Sequence, residues 1–326
     1  MSKNWHAHST DVIVYVRCHE DGTIENSSLG TLQKVQAHQI EPIVVLNRPV
    51  KGQSIDLPGT IKAVYAPDND ISGTFLTGEV ALIKQVLAAL IPDQTTLLVF
   101  APGNTSTDLA AMLAVQRDGA VITGVQKLKF EDGELLLRKY VLGGTWQTNS
   151  SPQSTFAAIT LHAKPNPAQT SANVSVTAIP VSVNGDGPRI TNRAPLPTSE
   201  RPDLTEAAVV VTGGRGTQGD FTPIEELADE LSAAIGATRD AVDEGWADHS
   251  MQVGQTGKTV SPQVYIAAGV SGAIHQRVGM DTADNIVAIN SDEDAPIFEI
   301  ATIGIVADLE DVIPDLTTKI REKKKS

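Results

Sequence analysis

Apolar and polar positions alternate in blocks that repeat the rhythm of strand and helix. Residues 11–16 (DVIVYV) are apolar or aromatic throughout after the leading Asp11, as a strand buried on both faces requires. Residues 43–46 and 62–65 predict two more strands, and 96–100 another. Helical spacing between them predicts helices over 28–39, 76–90 and 104–117. From 121 to about 183 short period-2 runs predict antiparallel hairpins that finish the same domain. The segment 186–202 is rich in proline and lacks periodicity, so it reads as a linker.

Beyond it the alternation resumes. Strands are predicted over 207–211, 264–268, 286–289 and 303–306, and a helix over 222–235. Thr222 and Glu225 spell a capping box, Pro223 takes the first helical position, and Gly236 ends the helix. Ile224, Leu227, Leu231 and Ile235 share one face. The expectation is an α/β protein: a scaffold domain over 1–185, the linker, and a C-terminal doubly wound parallel-sheet domain over 203–326.

Composition narrows the function. The chain has 326 residues, 41% of them hydrophobic, and a formal charge of −14, which argues against nucleic acid as a partner. Its single cysteine, Cys18, excludes an internal disulfide framework and any Cys-rich metal site. The seven histidines lack ligand spacing. No stretch reaches the roughly 18 to 20 apolar residues of a membrane span, and the first residues do not resemble a secretory or transit signal. A cytoplasmic protein, not membrane-inserted, is the expectation.

Two generic motifs stand in contexts that decide their meaning. Gly214 to Gly219 spells G-x-G-x-x-G after a strand, which would suit an NAD-dependent oxidoreductase. The helix after it starts at Thr222, past the third glycine, which weakens that reading. Residues 254–259 (GQTGKT) end like a P-loop, but Gln252 replaces the first glycine and Pro262 leads into a strand. Polar residues stand instead at the carboxyl ends of the C-terminal strands, where doubly wound sheets bind ligands.

Several of these stretches, VVVTGGRG (209–216), QVGQTGK (252–258), VSGAIHQ (270–276), AIN (288–290), APIF (295–298) and GIVAD (304–308), resemble the FAD domain of electron transfer flavoprotein alpha subunits in order and spacing. The resemblance implies FAD, a heterodimer with a beta subunit holding AMP, and single-electron transfer from flavin dehydrogenases to a membrane quinone reductase or other acceptor, without substrate chemistry of its own. A role in fatty acid beta-oxidation comes with it. It also implies site residues. Arg215 lies near the adenosine-diphosphate part, and Thr238 and Arg239 beside the isoalloxazine. Val253, Gly254, Gln255 and Thr256 run along the flavin. Ser271, Gly272, Ala273 and Ile274 open a helix whose amides receive the pyrophosphate. Asn290, Asp308 and Leu309 serve the adenosine end. A cation such as Arg239 near the ring favours negative charge on the flavin. His275 and Gln276 stand in the reverse of the family's usual Gln-His order, and His275 is the residue expected near the flavin, with Gln276 beside it.

Overall fold

The computed structural model describes residues 5–7, 9–90, 95–141, 146–166, 169–183, 187–192, 194 and 201–325. Two compact units emerge, one from Met1–Val141 and Gln147–Ala194, the other from Leu142–Trp146 and Pro195–Ser326. Of the expected linker, positions 186, 193 and 195–200 lie outside the described residues, and the described positions 187–192 and 194 carry neither helix nor strand.

The first unit runs β1 (Asp11–Val16), α1 (Asn26–Gln36), β2 (Ile43–Leu46), β3 (Ser54–Pro58), β4 (Ala63–Pro67), α2 (Thr77–Ala88), β5 (Thr96–Phe100), α3 (Asn104–Gln116), β6 (Ala120–Val125), β7 (Lys127–Glu131), β8 (Glu134–Val141), β9 (Trp146–Ser150), β10 (Phe156–Leu161), β11 (Ser171–Ser175) and β12 (Thr177–Ile179). Seven strands form one sheet in the order β12-β4-β2-β1-β5-β10-β6, and every pair in it is parallel. Both faces are covered. Val12, Val14 and Val16 pack with Leu32 and Val35 of α1, whereas Ile13 and Tyr15 meet α2 and α3 through residues such as Ile83 and Leu109. The predicted hairpin is present as the antiparallel β7–β8 pair. The same region, however, also contributes β6, β10 and β12 to the parallel sheet. β10 lies between β5 and β6 and is buried at all six positions. A strand buried on both faces has no polar alternate positions, so period 2 could not reveal it.

The second unit runs β13 (Val209–Gly213), α4 (Thr222–Leu231), β14 (Ala234–Ala237), α5 (Arg239–Asp243), β15 (Val264–Ala268), α6 (Ile274–Arg277), β16 (Asn285–Asn290), β17 (Ile303–Val306) and α7 (Leu309–Lys325). Its sheet is wholly parallel, in the order β14-β13-β15-β16-β17. On one face Val211, Ile235, Ile266 and Ile289 pack against Ile224 and Leu227 of α4 and Ile313 of α7. On the other, Val210, Tyr265, Ala267 and Ala288 are covered by loop residues Val253, Val260, Val270 and Ile297.

The helix expected over 222–235 is shorter. Ser232 takes a left-handed conformation (φ 51, ψ 41) and ends α4 at Leu231. Ile235 and Gly236 therefore belong to β14, not to the helix face. The capping box is absent as well. Pro223 sits in the first turn, but Thr222 is already helical, and its amide is taken by the Asp220 carboxylate at 2.9 Å. An acceptor two residues upstream does the capping that Thr222 was expected to do.

Candidate cofactor-binding site

The site lies where the strand order reverses. β13 is followed in sequence by β14 on one side and in space by β15 on the other, so the connections leave in opposite directions. The carboxyl ends of β13 and β15 are then free of a covering crossover, which is where doubly wound sheets bind ligands.

Two loops are locked together there. The Gly214 amide donates to Ala268 O at 3.0 Å, and the Gly216 amide to Gly269 O at 3.0 Å. A β-carbon on Gly214 would stand 2.3 Å from Gly269 O, and one on Gly216 2.6 Å from Gly269 Cα. Contact with the β15 loop, backbone on backbone, therefore explains the G-x-G glycines without a phosphate. The following helix opens at Thr222, past Gly219, as the sequence indicates.

Around this junction the expected residues gather from four strand ends. Thr238 follows β14, donates its amide to Gly213 O at 3.0 Å, and caps α5 by accepting from the Ala241 amide at 3.4 Å. The Val253 amide donates to Ala237 O, and its side chain is fully buried. Val253 thus anchors a loop whose next residues, Gln255 and Thr256, are exposed. The Gln255 amide donates to His275 O at 2.8 Å, and the Gln255 Oε1 and His275 Nδ1 atoms are 2.6 Å apart. Thr256 Oγ1 accepts from Gln252 Nε2 at 2.8 Å. Asn290, at the end of β16, donates from Nδ2 to Val270 O at 2.9 Å and accepts the Asp292 amide on Oδ1. Asp308 accepts the Glu310 amide at 3.0 Å ahead of α7, and the buried Leu309 packs under Gly269.

The two arginines stand at the exposed rim and are not drawn into this hydrogen-bonded core. Arg215 Nε is 3.0 Å from Asp240 Oδ2, and Arg239 Nε is 3.2 Å from Asp243 Oδ2. Exposed pairs of this kind are weak, so either guanidinium can turn to another anion at little cost.

The segment 271–276 departs from expectation in one respect. Ser271 and Gly272 do not open a long helix; α6 is a single turn, capped by the backbone of Ala273. Gly272 is buried with φ +76, and a β-carbon there would stand 2.6 Å from the Ile297 backbone. Among the described residues, the amides of Gly272, Ala273 and Ile274 donate to no carbonyl or side chain. Three successive free amides at a helix start suit an anion. Ile274 presents an exposed apolar side chain alongside. His275 is exposed, whereas Gln276 is buried and donates from Nε2 to the Tyr265 hydroxyl at 3.1 Å. Tyr265 escaped the sequence reading because a tyrosine inside VYIAA reads as plain core.

A parallel sheet with free amides and a polar rim at its reversal point is the arrangement that nucleotide-cofactor-binding domains use. The family model of the electron transfer flavoprotein FAD-binding domain matches residues 203–281. The electron transfer flavoprotein subunit alpha of Mycobacterium leprae is 38% identical over 321 residues, covering 90% of this chain and 96% of that protein. Its counterpart from Syntrophomonas wolfei is 34% identical over 79% of this chain and 82% of its own. The Pseudomonas aeruginosa protein of the same name is 58% identical over 123 residues, 37% of this chain and 40% of its own. The chain belongs to the electron transfer flavoprotein alpha-subunit family. Its relatives are named as electron transfer flavoproteins, and no helix among the described residues is long and apolar enough to cross a membrane.

FAD fits the donor set. The unpaired amides suit a pyrophosphate, the exposed Gln255, Thr256 and His275 offer side-chain partners to a polar ring edge, and the rim arginines supply positive charge to an anionic dinucleotide in a chain of −14.

Proposed function

We propose that this chain is the FAD-carrying subunit of a two-subunit electron carrier. It accepts electrons from flavin dehydrogenases, in fatty acid beta-oxidation among other routes, and passes them singly to a membrane quinone reductase or another acceptor. Bound FAD supplies the one-electron chemistry. The partner is an electron transfer flavoprotein beta subunit holding AMP, and the complex is cytoplasmic. The observation that carries this reading is the row of unpaired amides over 272–274 at the reversal point of the sheet, bordered by polar side chains from other strand ends.

Each residue has a task in this scheme. The amides from Ser271 to Ile274 receive the pyrophosphate. Val253, Gly254, Gln255 and Thr256 form a ledge along the isoalloxazine, tied down by the Val253 amide at one end and by His275 at the other. Arg239 and Thr238 border the ring, Arg239 contributing positive charge that favours electron acceptance. Arg215 serves the diphosphate, and Asn290, Asp308 and Leu309 shape the adenosine end. Gln276 points inward, so His275 is the side chain available to the flavin. Electron transfer needs no proton-abstracting base, and the scheme assigns none, so the chain acts as a carrier and not as a substrate-converting enzyme. Co-expression with a beta subunit and quantification of extracted flavin tests the reading. One FAD per chain supports it; a complex that takes up no FAD overturns it.

A further inference from the structure

The loop that would hold the flavin rests on a buried polar contact from a residue outside the site. Tyr265 is the second residue of β15, fully buried, on the loop-covered face of the sheet. Its hydroxyl accepts from Gln276 Nε2 at 3.1 Å, across eleven positions of the chain. Burial is the main cause that raises the phenol to about 12, so it stays protonated and neutral throughout the working range. The hydroxyl of Thr212, wholly buried on the neighbouring strand, faces the same phenol without a well-formed hydrogen bond of its own. Tyr265 is therefore the partner on which the Gln276 amide depends.

The direction of Gln276 decides that of its neighbour. Successive helical residues point about 100° apart, so with Gln276 held inward His275 must face outward. There His275 meets Gln255 twice, through its carbonyl with the Gln255 amide at 2.8 Å and through Nδ1 with Oε1 at 2.6 Å. The backbone of Gly254 is packed against the same turn, a β-carbon there standing 3.0 Å from His275 O. A path of direct contacts thus runs from Tyr265 through Gln276 and the α6 turn to the 253–256 ledge.

We propose that Tyr265 is a positioning residue for the flavin ledge: its hydroxyl fixes Gln276 inward, and so sets His275 and Gln255 in place. The inference rests on the functional reading above for its consequence, but not for its geometry. Losing the acceptor leaves a buried amide donor unsatisfied, which is relieved when the turn rotates and lets Gln276 reach water. The cofactor then has to restore the original arrangement, and its apparent affinity falls with the population of the competent loop.

The test is Tyr265→Phe in the full chain, which keeps the ring and removes the hydroxyl. In the chain without flavin, hydrogen exchange at the Gln255 amide is expected to quicken about tenfold while amides of β13 and β15 keep their protection. With FAD and the partner subunit, FAD binding is expected to weaken about tenfold, and the flavin's midpoint potential to shift, a change that loss of stability alone would not produce. Unchanged Gln255 exchange overturns the proposal whether or not FAD binds. Faster exchange with unaltered FAD affinity and potential also overturns it, because the loop would then move without consequence. Absence of FAD from the wild-type complex refutes the functional reading instead, and leaves the exchange result to decide the geometry.

Discussion

Replacing Gly272 by alanine isolates the contact that shapes the proposed anion site. Two costs act at this position. The backbone is left-handed at φ +76, where a β-carbon costs roughly 1 kcal/mol. That β-carbon would also stand 2.6 Å from Ile297 Cα and N, backbone atoms held by the Ile297 amide's bond to Ser271 O at 3.0 Å. Overpacking of this kind costs about 1–3 kcal/mol. Gly245 supplies the control, since it has the same φ of +76 in the same unit but no atom within 4 Å of its missing β-carbon. Gly245→Ala should therefore lose only the conformational part, and Gly272→Ala about 1–3 kcal/mol more. Urea denaturation of the two variants, followed by hydrogen exchange of the β15 and β16 amides, measures the difference. Gly272→Ala should also lose FAD, because relief of the clash moves the amides proposed to receive the pyrophosphate, while Gly245→Ala retains it. Equal destabilisation of the two variants would refute the steric argument, and full FAD retention by Gly272→Ala would refute the placement of the anion.

Other expectations follow from the same geometry. Ser232→Gly removes a left-handed serine at the end of α4 and should stabilise the chain by up to about 1 kcal/mol, read as a rise in melting temperature; destabilisation would mean that the helix continues past Leu231. Burial, aided by the Lys34 ammonium, pushes His162 down to about 4, below its ordinary 6.5. The folded state thus disfavours the protonated ring, so stability should fall as pH drops from about 6.5 to about 4, by up to about 3 kcal/mol, and level off below. His162→Gln should flatten that slope, and an unaltered slope between pH 7 and pH 4.5 in urea titrations would contradict the assignment. Arg239→Ala should keep FAD but make the flavin harder to reduce, by tens of millivolts at about 59 mV per 1.4 kcal/mol of lost stabilisation; a potentiometric titration that matches the wild type would remove Arg239 from the ring's surroundings.

Much of the architecture was legible because burial leaves a mark on long runs. DVIVYV, TLLVF, VYIAA and IVAI (286–289) announce central parallel strands, and the structure places each of them inside a sheet. FAAITL carries the same mark, yet its neighbourhood of alternating hairpin residues hides β10 within their pattern. The end of α4 misled for another reason. Leu231 and Ile235 keep helical spacing, and only the left-handed Ser232 between them, a tertiary outcome, converts the second into a strand residue. β3 and β12 are short, partly exposed strands with little apolar signal.

The candidate site was legible as a set of strand ends and not as a set of contacts. Strand order brings Thr238, Val253, the 271–276 turn and Asn290 to one edge, and no local pattern encodes that order. The orientation of the His275–Gln276 pair was beyond sequence reasoning for the same reason. It depends on the Tyr265 hydroxyl, eleven residues away and buried beneath the turn. Likewise the G-x-G spacing looked like a phosphate loop, whereas Gly269, from a different connection, supplies the reason for both glycines.

The most direct test of the whole account is the absorption spectrum of this chain purified with a beta subunit. The account predicts oxidised-flavin bands with one FAD per alpha chain, bleached on dithionite addition and unaffected by NADH alone. A colourless complex, or one that instead binds NADH stoichiometrically at the Gly214–Gly219 turn, would contradict it.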